Sequence, residues 1–497
     1  MSKMTQADLE AYLGKSANIL YGVISPEHYK EYIIPLLFFK RISDMYDEET
    51  QKALDISGGD EEFAAFPQHH SFQIPEGAHW IDVRSKTADV GAAINNALRA
   101  IEKENVEKLA GVFGAEARWT DKELLPDRVL KNLIEHFSTR KLTLEVCPED
   151  EFGQGYEYMI KRFADDAGHT AQEFYTNRTV VHLMTELLKP DSGESIYDPT
   201  CGTGGMLISC IAHLKRNQKE WRNVRAYGQE TIPFTAAIAR MNLFLHGITS
   251  FSVECDDTLV NPKFIENGML QKFDVVLANP PYSIKDWNRE AFSYDKYGRN
   301  MFGTPPQGRA DYAFIQHIFA SMKPGSGRCA ILLPHGVLFR DEERAIRENL
   351  IKSNLLECVI GLAPNLFYNA PMEACIMICR TMKPAVQRDR VMFIDAVNEA
   401  TRKSGQSFLD AKHIQKISDA YFGNEDVPYF SRTVSIDEIA GNNYSLSIPL
   451  YIEKEPTPGD TRTIQEHYSA WNQSSTEMRE RYLALNKMVF KEDNIDA

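Results

Sequence analysis

Apolar residues near the start of the chain recur at three- and four-residue steps. Leu9, Tyr12, Leu13, Ala17, Leu20 and Tyr21 share one helical face, the stripe by which an amphipathic helix buries itself. Ser25 and Pro26 read as the N-cap and first residue of a second helix, which carries Tyr29, Tyr32, Ile33, Leu36, Phe39 and Ile42. Pro35 lies inside that helix and predicts a kink, because it lacks an N–H and crowds the preceding turn. Similar stripes over Val90 to Leu109 and Leu124 to Phe137 complete an α-helical domain, expected over residues 1–150.

From about Glu194 the period changes. Short apolar runs alternate with helical stretches, the pattern of a parallel sheet with crossover helices. SIYDP, RAYGQE, FDVVLANPP, CAILLPHG, LECVIGL and ACIMICR are the strand candidates, with FSVECDD a further strand-like stretch. An α/β domain is expected over 165–435. Tyr282 to Asp311, rich in Gly, Pro, Asn and charge, reads as a long surface loop near the carboxyl end of a strand; long loops of that kind are usually functional or disordered. Beyond residue 435 the apolar pattern thins, and 436–497 is expected to hold a C-terminal segment and a mostly polar helical tail from Ile464 to Phe490, read as a partly exposed interaction tail or, equally, as a helix folded back on the core.

Composition narrows the setting. With 43% hydrophobic and 25% charged residues, the chain can bury a large core. Its eight cysteines are scattered without a C-x-x-C element, which fits a reducing cytoplasm and gives no metal-ligand set. Leu355 to Cys379 is broken by Asn, Pro and Glu, so no window approaches the ~20 apolar residues of a membrane span. The stretch MSKMTQADLEAYL has acids where a signal peptide needs an apolar centre. A formal net charge of −15 argues against a protein that grips nucleic acid alone, since phosphate contacts come from Lys and Arg.

Asp198-Pro199-Thr200-Cys201-Gly202-Thr203-Gly204-Gly205 joins a strand to the apolar helix Met206 to Leu214. Glycines at such a turn let backbone approach a ligand closely, and the helix start beyond favours negative charge. The Lys-Ser/Thr ending of a phosphate loop is absent. The same glycines also suit a merely tight connection. About 25 residues on, Glu230 ends the next strand, near the spacing of a ribose-binding carboxylate in doubly wound folds; an ordinary helix-capping Glu is the competing reading. Asp256 and Asp257 can meet an adenine ring's amine, or serve only as turn residues.

Phe273 to Ala278 is a buried-strand pattern that runs into Asn279-Pro280-Pro281-Tyr282, where ligands of open α/β sheets bind. An aryl amine such as adenine N6 is a poor nucleophile because its lone pair is delocalised. Two acceptors aimed at its hydrogens pull the nitrogen toward tetrahedral geometry and free that pair for a methyl sulfonium. Asn279 offers its side-chain carbonyl and Pro280 its backbone carbonyl. Neither proline has an N–H to compete, and Tyr282 offers a ring on which an extruded base stacks. A proline-stiffened turn or a Pro-rich adaptor ligand is the alternative, yet polyproline ligands lie in exposed segments rather than at the end of an apolar strand.

Asp198 to Gly205 taken with Asn279 to Tyr282 resembles the amino-methyltransferases. The wider chain resembles the modification subunits of type I restriction-modification systems: Glu173-Phe174-Tyr175-Thr176 before VVHLMTELLKP, and EYIIPLLFFKRISD, CAILLPHGVLFR, GLAPNLFYNAP and NNYSLSIPLYIE, are similar as well. The resemblance implies a Rossmann-like S-adenosylmethionine-dependent methyltransferase core with an α-helical N-terminal domain and a C-terminal helical tail. It implies methylation of adenine N6 in a specific duplex DNA sequence, with Asn279, Pro280, Pro281 and Tyr282 catalytic. Glu173, Phe174, Tyr175, Thr176, Asn177, Arg178, Asp198, Thr203, Gly204, Gly205, Glu230 and Asp257 are then expected around S-adenosylmethionine. Asn177 departs from the family's usual proline, which puts its contact in doubt, and Tyr282 replaces a common Phe. The implied partners are a DNA-recognition (specificity) subunit, a second copy of this chain in a two-to-one complex, a restriction motor subunit and duplex DNA.

Two other functions compete. A protein glutamine N5-methyltransferase carries the same tetrapeptide and also methylates a planar nitrogen, but the helical N-terminal domain and the tail are not expected in it. A non-catalytic scaffold on the same fold is opposed by the intact Asp198, Glu230 and Asn279.

Overall fold

The computed structural model describes residues 4–114, 117–148, 152–153, 155–156, 158–159, 176–366, 373–403, 406–454 and 464–489. The chain divides into two compact units, Met1–Ile452 and Glu453–Ala497. The first opens with α1 (Gln6–Leu20), α2 (Tyr29–Ser57), α3 (Val90–Glu104) and α4 (Asp127–Ser138). Thr5 starts α1 through a capping box with Asp8, satisfying backbone donors that have no partner in the first turn. Ser25 leads into a short 3₁₀ turn, Pro26–His28, without a side-chain cap. One helix spans Pro35 and continues past the apolar stripe to Ser57, where Gly58 at φ +74° ends it, a conformation glycine adopts without a Cβ clash.

One sheet dominates the rest. β1 (Ser195–Asp198), β2 (Arg225–Glu230), β3 (Phe251–Cys255), β4 (Val275–Ala278), β5 (Arg328–Pro334), β6 (Leu356–Leu362), β7 (Ala374–Arg380), β8 (Arg390–Ala396) and β9 (Ser431–Ser435) lie in the order 9-8-6-7-5-4-1-2-3. Strands β1 to β5 run parallel, but the sheet is mixed rather than parallel throughout. β7 is inserted antiparallel between β5 and β6, and β9 pairs antiparallel with β8. β7 is buried almost along its whole length, so its continuous apolar run carries no mark of direction.

Helices cover both faces: α5 (Arg178–Leu188), α6 (Gly205–Arg216) and α10 (Ala411–Gly423) on one, α8 (Asp311–Ser321) and α9 (Arg344–Lys352) on the other. Alternation along β4 serves both, with Val275 and Leu277 in the first layer and Val276 and Ala278 in the second. α7 (Pro233–Leu245) is apolar nearly all round because two cores share it. Its Ala236, Ala239 and Leu243 pack toward the sheet, while Phe234, Ala237, Ile238, Met241 and Leu245 join the core of the N-terminal helices. Leu446, Ile448, Tyr451 and Ile452 also belong to the core of the first unit, with Tyr451 stacked on Phe393 at 4.3 Å between ring centroids.

The second unit contains α11 (Ile464–Val489). Among the described residues no helix is long and apolar enough to cross a membrane.

Candidate active site

Strand order reverses at β1: the chain crosses from β1 to β2 on one side, and β4 returns on the other. The loops leaving β1 and β4 therefore open a crevice at the carboxyl edge, the usual binding place of a doubly wound sheet. Tyr197 pairs with Val276 across these strands, so Asp198 and Asn279 emerge about one strand spacing, ~4.8 Å, apart in the pairing direction.

The loop after β1 is tied down along its length. Cys201 N–H donates to the Gln229 carbonyl at 2.9 Å, Gly202 N–H to Glu230 Oε2 at 3.0 Å, and Asn242 Nδ2 to the Thr203 carbonyl at 2.9 Å. Thr258 Oγ1 donates to the Pro199 carbonyl at 2.5 Å. Gly202 and Gly204 take φ of +52° and +81°, and Gly204 and Gly205 begin α6. Gly228 on β2 must lack a side chain, since a Cβ there would sit 2.8 Å from Cys201 Sγ. The result is a cradle of backbone with a helix start behind it.

Two carboxylates border that cradle. Asp198 is 2% exposed, and its Oδ1 accepts from Thr200 N–H at 3.0 Å. Burial, reinforced by the nearby Glu230 charge, pushes its carboxyl up to about 8. Glu230 closes β2, accepting from Gly202 with one oxygen and from Ile232 N–H at 2.9 Å with the other. Each carboxylate oxygen has a further lone pair, so these bonds are compatible with ribose hydroxyls. Asp257 spends Oδ1 on the Leu259 and Val260 N–H groups, while Asp256 pairs with Lys263 at 2.7 Å.

Asn279 leaves β4 with its amide oriented. Nδ2 donates to Thr176 Oγ1 at 3.0 Å, while Oδ1 is buried and takes no hydrogen bond among the described residues. Pro280 is buried behind it, and Tyr282 is half-buried, with burial holding its phenol well above the usual range. Ser283 N–H then donates to Asp311 Oδ1 at 3.0 Å, and Arg340 grips the other Asp311 oxygen at 2.9 Å.

Glu173, Phe174 and Tyr175 lie outside the described residues. Thr176 reaches Asn279, while Arg178 opens α5. The Asn177 side chain is committed within the protein: Oδ1 caps α5 at Thr179 N–H, and Nδ2 donates to the carbonyls of Leu366 at 2.9 Å and Ser407 at 3.2 Å. A proline could form none of these bonds. Gln229, Thr258, Asp311 and Arg340, which sequence reasoning passed over, hold the two loops in place. Their one sequence signal is adjacency to a strand end or a loop boundary.

The loop 283–311 contains a short helix, Arg289–Ser293, and packs Phe292 and Ala310 into a small apolar cluster with Leu259, Ala313 and Phe314. Arg299 is 3% exposed; it pairs with Asp295 at 2.6 Å and donates to the Thr258 and Leu259 carbonyls. It is a staple between loops, not a surface cation.

A glycine-lined cradle beside buried carboxylates, with an unspent amide oxygen at the neighbouring strand end, is an arrangement that fits an S-adenosylmethionine-dependent amino-methyltransferase. Residues 148–460 match the N-6 DNA Methylase family, and residues 9–137 match the HsdM N-terminal domain. The chain belongs to the N-6 DNA Methylase family, as a type I modification subunit that methylates adenine N6. It is similar to the type I restriction enzyme HindI methylase subunit of Haemophilus influenzae, at 31% identity across 74% of this chain and 84% of that protein. Similarity to the MjaVIII methylase subunit of Methanocaldococcus jannaschii reaches 30% identity across 97% of this chain and 84% of that one. The crystal structure of the type I restriction-modification system methyltransferase subunit from Streptococcus thermophilus has the same fold, with a TM-score of 0.78 and 28% identity over 90% of this chain and all of that one. These matches decide against the glutamine methyltransferase reading.

Proposed function

We propose that Asn279, Pro280, Pro281 and Tyr282 carry out methyl transfer, and that Thr203 to Gly205, Asp198 and Glu230 cradle the cofactor. The observation that carries this is Asn279 Oδ1, a buried acceptor without a described partner at the central strand end. An unmet acceptor there is costly unless a ligand donor meets it. Oδ1 and the Pro280 carbonyl accept the two hydrogens of the adenine amine, and Tyr282 stacks the extruded base. When bound, S-adenosylmethionine supplies the methyl group: the N6 lone pair forms the N–C bond, the C–S bond breaks onto sulfur, and the amine sheds a proton to water.

The chain then works as two modification subunits around one DNA-reading subunit, with a motor nuclease joining for restriction. Its charge of −15 leaves most phosphate binding to that partner, although Lys285 and Lys296 stay exposed on the loop after Tyr282. Residues 1–150 brace the 165–435 core through α7, and the tail docks the partner. In α11, Ile464, Tyr468, Trp471, Ser475, Met478, Tyr482, Leu485 and Val489 follow a strict four-three spacing, the seam of a coiled coil. Tyr468, Trp471, Met478 and Tyr482 on that seam are 61%, 63%, 69% and 63% exposed. Deletions must begin after Lys454, since Tyr451 and Ile452 are core residues.

The test is copurification of the natively expressed chain, sequencing of methylated adenines in its host DNA, and methylation of the resulting duplex with and without the copurified subunit. Site-specific methylation only by the complex is expected. Robust site-specific methylation by this chain alone would replace the subunit reading with a self-sufficient enzyme.

A further inference from the structure

Arg299 is a cation buried in the loop that follows Tyr282. A guanidinium carries its donors in one rigid plane and has no acceptor, so every bond it makes has a fixed direction. Nε and Nη2 donate to Asp295 Oδ1 at 2.8 and 2.6 Å, and the Asp295 side chain is itself 2% exposed. Nη1 donates to the Thr258 carbonyl at 3.1 Å and Nη2 to the Leu259 carbonyl at 3.0 Å.

Thr258 and Leu259 belong to the turn that follows β3. Within it, Asp257 Oδ1 accepts from the Leu259 and Val260 N–H groups at 2.8 and 3.1 Å, so Asp257 fixes N–H groups of the turn while Arg299 fixes its carbonyls. The turn is bonded in two places to the cradle described above. Asp256 N–H donates to the Glu230 carbonyl at 3.0 Å, and Thr258 Oγ1 donates to the Pro199 carbonyl at 2.5 Å. A carbonyl only accepts, so the Thr258 hydroxyl is the donor there.

We infer that Arg299 positions the cofactor cradle: through Thr258 it holds Pro199 and the loop after β1, and S-adenosylmethionine affinity depends on it. The inference rests on the assignment of that cradle to the cofactor. Arg299 is a positioning residue, acting through the turn rather than on the ligand. A loop that binding must immobilise costs affinity, and a loop held in advance costs less. Loosening the chain from Arg299 to Pro199 therefore weakens binding. Once cofactor is bound the loop is ordered again, so the rate at saturation is kept.

The experiment uses the assembled complex and its own mapped DNA site, with S-adenosylmethionine affinity read by calorimetry and single-turnover methylation at saturating cofactor. Arg299→Lys keeps the charge beside Asp295 but replaces the planar fork with a single ammonium, which does not reproduce the bonds to both carbonyls. Thr258→Val keeps the shape and removes the hydroxyl. Each should weaken S-adenosylmethionine binding by about tenfold, the affinity equivalent of one lost hydrogen bond, and leave the saturated rate at the wild-type value. Because both variants cut the same chain, the double variant should bind no more than about twofold more weakly than the weaker single one, whereas independent effects would multiply. Should Arg299→Lys not fold, Arg299→Met combined with Asp295→Asn removes both buried charges together and takes its place. Wild-type affinity in either single variant, a loss of saturated rate in place of affinity, or losses that multiply in the double variant overturns the inference. Glu230→Ala in the same titration keeps the two readings apart. If it binds as the wild type does, the assignment of the cradle fails and the inference with it; if it binds weakly while Arg299→Lys and Thr258→Val do not, only the role of Arg299 fails.

Discussion

The loops after β1 and β4 leave adjacent strand ends, yet they use their polar groups in opposite ways. After β1, the carbonyls of Pro199 and Thr203 and the N–H groups of Thr200, Cys201 and Gly202 are all bonded within the protein. After β4, two prolines contribute no donor, and Asn279 Oδ1 takes no described bond. The backbone of the first loop is finished as a firm surface, suited to holding a cofactor in one pose. The second leaves an acceptor open, the one proposed above to meet the substrate amine. On that proposal, binding and chemistry are divided between neighbouring strand ends.

The sharpest way to break that division is Asn279→Ala. Methyl transfer should fall by roughly two to four orders of magnitude, from the ~10²- to 10³-fold cost of losing one preorganised polar group with an allowance for positioning. S-adenosylmethionine affinity should be unchanged, since the variant leaves the β1 loop intact. Rapid-quench methylation and calorimetry measure the two separately, and a loss shared equally between them would erase the distinction between the loops.

Asp311→Ala attacks the anchoring of the second loop. Asp311 is 1% exposed and bridges Ser283 to Arg340, so its removal leaves a mostly buried guanidinium with fewer partners. Loss of about 3–5 kcal/mol of stability is expected, the range for breaking a buried pair. Denaturant unfolding checks it; a loss under about 1 kcal/mol would mean that solvent reaches Arg340 and the anchor is weak.

These contacts were only partly legible in the sequence. The six strand candidates, the strand-like FSVECDD, the helical N-terminal stripes and the placement of Asn279 at a strand end all follow from periodicity and turn residues, which are local. β8 and β9 were not: Val391 to Ile394 is a short apolar run bounded by Arg390 and Asp395, and Ser431 to Ser435 has Val434 as its one apolar residue. Arg299 sits among the charged residues of a loop read as surface, but it is buried against the carbonyls of Thr258 and Leu259. The Asn177 amide nitrogen is held by carbonyls of residues 366 and 407, which the sequence does not place beside it. In each case the deciding partner is distant along the chain, and no local pattern encodes it.

Glu230→Ala probes the first loop. Its two oxygens hold the Gly202 and Ile232 N–H groups, so the variant loosens the cradle and removes the proposed ribose acceptor together. Weaker S-adenosylmethionine binding by about 1.5–3 kcal/mol is expected, the range for hydrogen bonds to a charged group. Transfer at saturating cofactor should hold. Calorimetry showing wild-type affinity would reduce Glu230 to a structural cap.

The mildest effect expected is a pH dependence of cofactor binding set by Asp198. Its carboxyl is pushed up from 3.8 to about 8 by burial and the Glu230 charge, so the cofactor-free protein holds a proton there that the unfolded chain has already lost. Between those two values the folded state binds more protons, and this group's contribution to stability falls as pH rises. A bound sulfonium, whose positive charge does not titrate, favours the carboxylate and draws that proton off. Binding below pH 8 therefore releases a proton, and affinity should rise by at most about tenfold per unit as pH increases from 6 to 7.5. Asp198→Asn carries no proton to release, so its affinity should stay flat over the same range. Calorimetry in buffers of different ionisation enthalpy counts the proton directly. A wild-type protein that binds S-adenosylmethionine with the same affinity at pH 6 and 7.5, and releases no proton, would place Asp198 away from the cofactor charge and leave it a buried support for Thr200.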